Sequence, residues 1–267
     1  MTAMRTTTLA LSLALLITGS ALAGPPLATD DAGTVDVGKV EIELNGSYTH
    51  DKETINGSTT RTASTDAEVK ITAGLYKSLG ISLAIPYTLH AREELDGELS
   101  GTADGFGDMI MEIKYAFAEL GGINFAIKPT VIMPIGRYSA GLSEGRWQVG
   151  GALIASREFC DGTYAMHANL GYEYHTYNTT ELQRTTRNHF WSGSVAGEAR
   201  VMKGLTTVLD FGLATNPDKG SKELPVYALT GARYEINDHL DINAGIKLGL
   251  TRPEDDFSVL YGLALKF

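Results

Sequence analysis

Hydrophobic and polar residues alternate along most of this chain, and the alternation is clearest in its last eleven residues. Every second residue of this stretch is apolar, and the residues between are mostly small or polar. A period of two is that of a β-strand whose two faces meet different surroundings. The apolar positions of this last strand are Phe257, Val259, Tyr261, Leu263, Leu265 and Phe267.

The same alternation recurs in about twelve segments, each about as long as a tilted strand that crosses a membrane. Short turns, such as residues 77–78, alternate with longer polar stretches, which predict loops at residues 51–61 and 91–106. This rhythm is typical of outer-membrane barrels. The sequence therefore predicts an all-β fold, a transmembrane antiparallel up-and-down β-barrel of about twelve strands. A soluble sandwich would have to bury the apolar faces of all these strands in one core, so we favour the barrel.

The chain divides into three parts. Residues 1–23 have a basic start at Arg5, an apolar run and a small-residue end, which predict a secretory signal peptide cleaved before Gly24. Residues 24–36 are rich in Pro, Gly and Asp, and we expect an irregular segment tucked at a mouth of the barrel. Residues 37–267 would form the barrel itself, located in the bacterial outer membrane.

Composition narrows the possible partners. The formal net charge of −10 argues against a nucleic-acid partner, which would need a basic face. The single Cys160 cannot form an internal disulfide, and no cofactor is predicted. The expected partners are outer-membrane lipid and lipopolysaccharide, a small-molecule solute, and the assembly machinery that would read the C-terminal strand at Phe267. We expect a monomer.

Charged residues of both signs occupy the predicted inward faces of the strands. A twelve-stranded lumen is wider than that of an eight-stranded barrel, and charges inside it must be paired or hydrated. These residues are therefore the candidate lining of a pore. They are Glu68, Lys70, Glu112, Lys114, Lys128, His167, Glu173, Glu198, Arg200, Arg233, Glu235, Asp241 and Lys247.

Three functions fit this pattern. The first is a channel for passive diffusion of small solutes, and the second is a plugged, structural barrel without transport. The third, a lipid hydrolase, needs Ser, His and a carboxylate or amide within reach at the lipid face. His167 and Asn169 share the lumen face with no Ser in the same pattern, so catalysis is not predicted. A metal site at His167, Glu173 and His175 is not expected either, because strand spacing separates the first from the last.

Short motifs add a family resemblance. They are Thr-Asp-Asp-Ala-Gly-Thr at residues 29–34, Gly-Lys-Val-Glu-Ile-Glu at 38–43 and Gly-Phe-Gly-Asp at 105–108. With them, the chain resembles the bacterial outer-membrane transporter family labelled as meta-pathway phenol-degradation proteins. The resemblance covers nearly all of residues 24–267. It implies an outer-membrane barrel that admits small solutes, including aromatic or hydrophobic compounds.

Overall fold

The computed structural model describes residues 26–55 and 57–267, so the predicted signal peptide lies outside the described residues. Within them the chain is almost entirely β-structure. The strands are β1 (Val40–Ile55), β2 (Ser58–Tyr76), β3 (Leu79–Leu95), β4 (Glu98–Phe106), β5 (Met109–Leu120), β6 (Ile123–Met133), β7 (Gln148–Phe159), β8 (Tyr164–Tyr174), β9 (His189–Met202), β10 (Leu205–Ala214), β11 (Val226–Asn237), β12 (Leu240–Gly249) and β13 (Phe257–Lys266).

The sheet closes into a barrel with twelve strand positions around its wall, and we call each position a stave. Apart from β4 and β5, each strand pairs antiparallel with the next, and β13 returns to pair with β1, from Glu41 opposite Lys266 to His50 opposite Phe257. The strands β4 and β5 together form one stave, because β3 pairs with β5 near the short turns and with β4 farther along. Closure leaves no unpaired edge in the membrane-crossing part. The predicted transmembrane barrel of about twelve strands is confirmed.

The two predicted loops at residues 51–61 and 91–106 are wrong. The strands β1 and β2 continue to Ile55 and resume at Ser58, and β3 and β4 meet in a tight turn at Asp96 and Gly97. Apolar alternation ends where the lipid ends, but backbone pairing continues beyond it. The first stretch contains Thr54, Thr59 and Thr60, which have the β-propensity to pair in water, and the second is closed by its tight turn. Two hairpins therefore project from the long-loop end of the barrel.

A belt of exposed apolar side chains surrounds the barrel. Leu83, Leu153, Leu170, Val195 and Ile246 are each between 42% and 55% exposed on the outer face. Such a continuous apolar surface suits lipid and not water. Aromatic pairs lie toward the long-loop end of this belt, as in the girdle of a membrane interface. The belt and the closed barrel confirm the predicted location in the outer membrane.

Helical structure is scarce in the described residues. One short helix, α1 (Thr180–Thr185), lies in the connection between β8 and β9, and its N-cap Thr179 accepts a hydrogen bond from the Leu182 N–H. No helix in residues 26–55 or 57–267 has the length and apolarity to cross a membrane.

The segment before β1, residues 26–39, does not sit at a mouth of the barrel as expected. It crosses the inside of the barrel, where Leu27, Thr29, Asp30 and Ala32 are almost completely buried. Val37 forms a bridge to Gly74 at the short-turn end, and the first strand starts at Val40 and not at residue 37. We call residues 26–39 the lumen segment.

Candidate channel lumen

One side of the lumen holds a compact charged network. The Asp30 carboxylate accepts hydrogen bonds from Lys114 Nζ and Lys128 Nζ, each at 2.7 Å. Glu112 lies 3.3 Å from Lys128 Nζ and 3.3 Å from Lys70 Nζ. We call the inward faces of β2, β5 and β6 the charged wall, because they supply these four side chains. Each buried charge in this network therefore has a partner of opposite sign, as burial requires.

The pKa of Asp30 reflects this position. Burial by itself would raise the pKa of the carboxyl, but the ammonium groups of Lys128, Lys114 and Lys70 outweigh burial and lower it to about 2. A lowered carboxyl pKa stabilises the bound segment at every pH above the ordinary value, and this contribution is lost as pH falls toward about 2. The ion pairs therefore hold the lumen segment throughout the physiological range.

A second carboxylate, Asp210 of β10, binds the two residues of the lumen segment that precede Asp30. Asp210 Oδ2 accepts hydrogen bonds from the backbone N–H groups of Ala28 and Thr29, at 2.8 and 2.7 Å, and Thr29 Oγ1 donates to Asp210 Oδ1 at 2.7 Å. Leu27 packs against Ala196, Val208 and Leu229 beside this site. The segment is thus fixed to β10 by three hydrogen bonds and an apolar contact.

Beyond Asp30, the segment also bonds to β7. The Ala32 N–H donates to Ser156 Oγ at 2.8 Å, and Ser156 Oγ lies 2.8 Å from His167 Nδ1. The strand pattern of His167 contains no Ser, but the neighbouring strand brings Ser156 within hydrogen-bond distance of it, which the sequence analysis did not anticipate. Both side chains are buried beneath the segment, and His167 Nε2 has no hydrogen-bond partner among the described residues. Among the described residues, no carboxylate or amide is therefore hydrogen-bonded to His167 Nε2 as a catalytic triad would require.

The opposite side of the lumen is open. Its inward positions on β8 and β9 carry small side chains, among them Gly171, Ser192 and Ser194, and Ser192 is exposed although it points inward. We call the part of these faces formed by Gly171, Ser192 and Ser194 the small-residue wall. A cavity of about 160 Å³ lies against it, bounded by Ala28 of the lumen segment and by Tyr227. The lumen segment therefore narrows the barrel without filling it.

The candidate lining residues fall into groups. Lys70, Glu112, Lys114 and Lys128 join in the charged network. Elsewhere, Glu198 pairs with Arg233 at 3.3 Å, Asp241 with Lys266 at 2.5 Å, and Lys247 with Glu254 at 2.6 Å. The remaining candidates are dispersed: Glu68 contacts Asn45, Glu173 contacts His175, His167 contacts Ser156, and Arg200 and Glu235 are exposed near the short turns.

Sequence reasoning missed three residues that organise this lumen. Asp30 belonged to a stretch without periodicity, and Asp210 and Asn169 were not candidates. With its amide assigned in the orientation that satisfies both neighbours, the Asn169 nitrogen donates to the Asp30 carbonyl at 2.9 Å and its oxygen accepts from the Asp30 N–H at 2.6 Å. The one available signal was Asp210 itself, an acid at an inward position of an otherwise uncharged strand.

The Gly-Phe-Gly-Asp motif interrupts the stave made by β4 and β5. Asp108 accepts hydrogen bonds from the N–H groups of Gly136 and Glu144, at 2.9 and 3.4 Å. Gly136 lies so close to Gly107 that a Cβ would stand 2.7 Å from its carbonyl carbon. The motif therefore anchors the connection between β6 and β7, residues 134–147, where strand pairing stops. Within residues 26–55 and 57–267, no group of three His, Cys, Asp or Glu side chains is arranged to hold a metal ion.

Solved structures with the same fold are outer-membrane proteins. An outer-membrane channel from Pseudomonas putida F1 is 13% identical, with a TM-score of 0.73 over 89% of this chain and 98% of that one. The NanC porin is 10% identical, with a TM-score of 0.59 over 85% of this chain and 100% of its own. The KdgM porin is 6% identical, with a TM-score of 0.57 over 85% and 99%. At these identities, the likeness concerns the fold.

No curated protein matches the chain. A family model does match it, across residues 29–267, which is nearly all of the segment and barrel described above. The match includes the Thr-Asp-Asp and Gly-Phe-Gly-Asp motifs that carry the resemblance, and the predicted resemblance is confirmed. The chain belongs to the family described as "Putative MetA-pathway of phenol degradation".

Proposed function

We propose that this protein is an outer-membrane channel through which small solutes diffuse passively. The observation that carries the proposal is the cavity of about 160 Å³ between the small-residue wall and the lumen segment. A barrel filled only for stability would be expected to pack side chains there, as smaller barrels do. Gly171, which has no side chain, and the short side chains of Ser192 and Ser194 instead leave that space free.

Three features of the lumen support a narrow path rather than a general pore. The lumen segment takes up the centre of the barrel, and the charged wall is filled by ion pairs. Cavities of ligand size with polar walls suit small solutes more than hydrated polymers. The solved channel and porins of similar fold have such functions in their own names, and we extend this role to the present chain as part of the proposal.

The direct test is single-channel recording of the refolded full-length protein in a planar bilayer. The expected result is discrete, small conductance steps. Correct folding is checked in parallel by the heat-dependent shift in gel mobility typical of folded barrels. Folded, inserted protein that gives no steps would contradict the proposal.

One observation favours a second candidate, a plugged structural barrel. Residues 28–30 of the lumen segment are held from two directions, by Asp210 of β10 and by the lysines that bind Asp30, and a segment bound in this way would stay in place permanently. Under this alternative, the full-length protein would give no conductance, and steps would appear only after residues 26–36 are deleted. The same recording therefore separates the two candidates.

A further inference from the structure

Four buried oxygen atoms in the short-turn half of the lumen have no hydrogen-bond donor among the described residues. They are Glu43 Oε2 and Asn45 Oδ1 on β1, and Asp241 Oδ1 and Asn243 Oδ1 on β12. We call these four side chains the acceptor cluster. Buried carboxylate and amide oxygens are rarely left without a donor, because the loss of their hydration is costly. We therefore expect a donor group to bind here.

The register of β1, β13 and β12 brings the acceptor cluster together on the inward face of the barrel. Two of its side chains flank Ala264 of β13 and two flank Gly262, in the pairs Glu43 with Asp241 and Asn45 with Asn243. A Cβ at Gly262 would stand 2.7 Å from Asn45 Oδ1 and 3.1 Å from Asn243 Nδ2, so the two amides converge over this glycine. Glu43 and Asp241 are each only 4% exposed, and Asn243 is 8% exposed.

The charges around the acceptor cluster favour a cationic donor. The strand positions beside it carry five acids and three bases, namely Glu41 and Glu43 on β1, Glu68 and Lys70 on β2, Arg233 and Glu235 on β11, Asp241 on β12 and Lys266 on β13. Each of the three bases already has an acidic partner, in the pairs Lys70 with Glu112, Arg233 with Glu198 and Lys266 with Asp241. Acidic groups are therefore in excess at the cluster.

A primary ammonium group fits these acceptors better than a metal ion does. Ca²⁺ takes six or more oxygen ligands, mostly carboxylates and carbonyls in a tight shell. The acceptor cluster offers four oxygens, and two of them belong to neutral amides. An ammonium group brings one positive charge and three N–H donors, which suits two carboxylates and an amide oxygen.

An ammonium group with the necessary reach would arise at the start of the mature chain. Pro26 is the first described residue, and its ring packs on β12, where a Cβ at Gly245 would stand 2.9 Å from Pro26 Cβ. The predicted cleavage before Gly24 leaves two residues ahead of Pro26, which span about 7 Å when extended. Asn243 lies two residues from Gly245 on the same face of β12, which is also about 7 Å. The new amino terminus can therefore reach the acceptor cluster.

We propose that the acceptor cluster binds the ammonium group that signal-peptide cleavage creates at Gly24. Its N–H groups donate to the carboxylates of Glu43 and Asp241 and to an amide oxygen of the cluster. This inference is independent of transport and rests on the predicted cleavage site. A precursor still joined to residues 1–23 has a neutral amide at Gly24, so the chain would gain this contact only after processing.

The test compares two forms of the refolded protein, the mature chain that begins at Gly24 and the same chain with Gly-Ser added ahead of Gly24. The extension moves the ammonium group by about 7 Å and leaves the barrel unchanged. The measurement is the rate of acylation of the terminal amine as a function of pH, quantified by mass spectrometry of the N-terminal peptide.

The pH profile separates an ion pair from simple burial. Carboxylates beside an ammonium group raise its pKa, whereas burial alone lowers it. We expect the amine of the mature chain to titrate above the ordinary value of about 8, and the amine of the extended chain to keep that value. A mature chain whose amine titrates at or below about 8 would overturn the proposal.

Charge-removing substitutions locate the contact. Glu43→Gln and Asp241→Asn keep the size of the side chain, and each should shift the titration midpoint of the Gly24 amine back toward the ordinary value. The matched control is Glu98→Gln, which removes the same charge from an exposed position on an outer hairpin and should leave the midpoint unchanged. An unchanged midpoint in both cluster variants, with folding verified by gel mobility, would contradict the proposal. If neither variant folds, the comparison of mature and extended chains decides alone.

A metal ion at the acceptor cluster would give a different result. Added Ca²⁺ would then raise the thermal stability of the mature and extended chains equally, and the amine of the mature chain would titrate at its ordinary value. This combination would assign the cluster to a metal ion and overturn the proposal.

Discussion

The charged wall and the small-residue wall of the lumen both follow the alternating pattern of β-strands, but their inward side chains differ. The charged wall presents Lys70, Glu112, Lys114 and Lys128, and its Lys128 is only 1% exposed. The small-residue wall presents glycine and serine, and its Ser192 is exposed. On the charged wall the lysines are covered by Asp30 of the lumen segment, whereas the cavity lies between the segment and the small-residue wall. An inward polar face therefore does not by itself indicate an open pore.

The largest effect is expected from removing the lumen segment. Deletion of residues 26–36 keeps Val37 and Gly38, which pair with Gly74, and leaves the closing β1 and β13 pair intact. Because this segment occupies the centre of the barrel, we expect a severalfold larger single-channel conductance. The measurement is planar-bilayer recording of the refolded deletion variant, with folding confirmed by gel mobility. An unchanged conductance would mean that the segment does not limit the path.

A single substitution should loosen the segment without removing it. Asp30→Ala takes the acceptor away from the buried Lys128 and from Lys114, and losing one partner of a buried ion pair costs about 3–5 kcal/mol. Lys128 keeps Glu112 at 3.3 Å, so we expect the lower end, about 3 kcal/mol, or roughly a hundredfold in the binding equilibrium of the segment. Hydrogen exchange of the Thr29 and Ala32 amides should accelerate accordingly.

The matched control for this substitution is the adjacent Asp31→Ala. The Asp31 side chain accepts a hydrogen bond from the Gly33 N–H, and it is the Asp31 backbone carbonyl that accepts the hydrogen bond from Lys114 Nζ. Exchange at Thr29 should therefore stay close to that of the unmodified protein. Equal acceleration in both variants would show that any change near Asp30 loosens the segment, and that the ion pairs are not the cause.

The barrel could be predicted from the sequence because the alternation in each strand depends only on what its own two faces contact. Apolar residues at every second position face lipid, and this period survives in each strand regardless of its partner. The position of the lumen segment could not be read in this way. Thr29 and Asp210 are far apart along the chain, and a hydrogen bond between them leaves no periodic trace in either stretch.

The same reasoning explains the errors in the outer hairpins. Residues such as Arg92 and Glu94 lie in β3 beyond the membrane and form an exposed ion pair at 2.7 Å. The opposite face of this strand buries small or charged residues such as Ala91 and Glu93, so no run of large apolar side chains marks the strand, and the pattern resembled that of a loop. Side-chain periodicity reports the surroundings of a strand, whereas backbone pairing decides where the strand ends.

A smaller, pH-dependent effect is expected in the connection at residues 134–147. Burial raises the pKa of the Glu144 carboxyl to about 7; nearby His175 lowers it and Asp108 raises it. A raised carboxyl pKa means that the folded connection disfavours the charged form. Its stability should therefore be greatest below about pH 4, decline as pH rises toward about 7, and change little above that.

Limited proteolysis of this connection across that pH range would measure the effect. Cleavage should increase from pH 4 to pH 7 in the unmodified protein and stay constant in Glu144→Gln, which cannot ionise. A Glu144→Gln variant with the same pH dependence as the unmodified protein would assign the effect to another group.

The smallest effect is expected in ion selectivity. The projecting hairpins carry more acidic than basic residues, among them Asp51, Glu53, Glu93, Asp96 and Glu98. Their negative potential should favour cations slightly at the outer mouth, and salt should screen it within about 10 Å at 0.1 M ionic strength. Reversal potentials across a salt gradient should show weak cation selectivity that fades at high salt. Clear anion selectivity would contradict this reading.

The difference between the two walls is tested most directly by thiol modification of single cysteines during recording. In a Cys160→Ser background, Ser192→Cys places a thiol on the small-residue wall. Ser82→Cys places one at a buried inward position of β3, which lies between β2 and β5 of the charged wall. Our account predicts that a small water-soluble thiol reagent reduces the current of Ser192→Cys and leaves that of Ser82→Cys unchanged. Block at Ser82→Cys with none at Ser192→Cys would place the path on the charged wall and contradict the account.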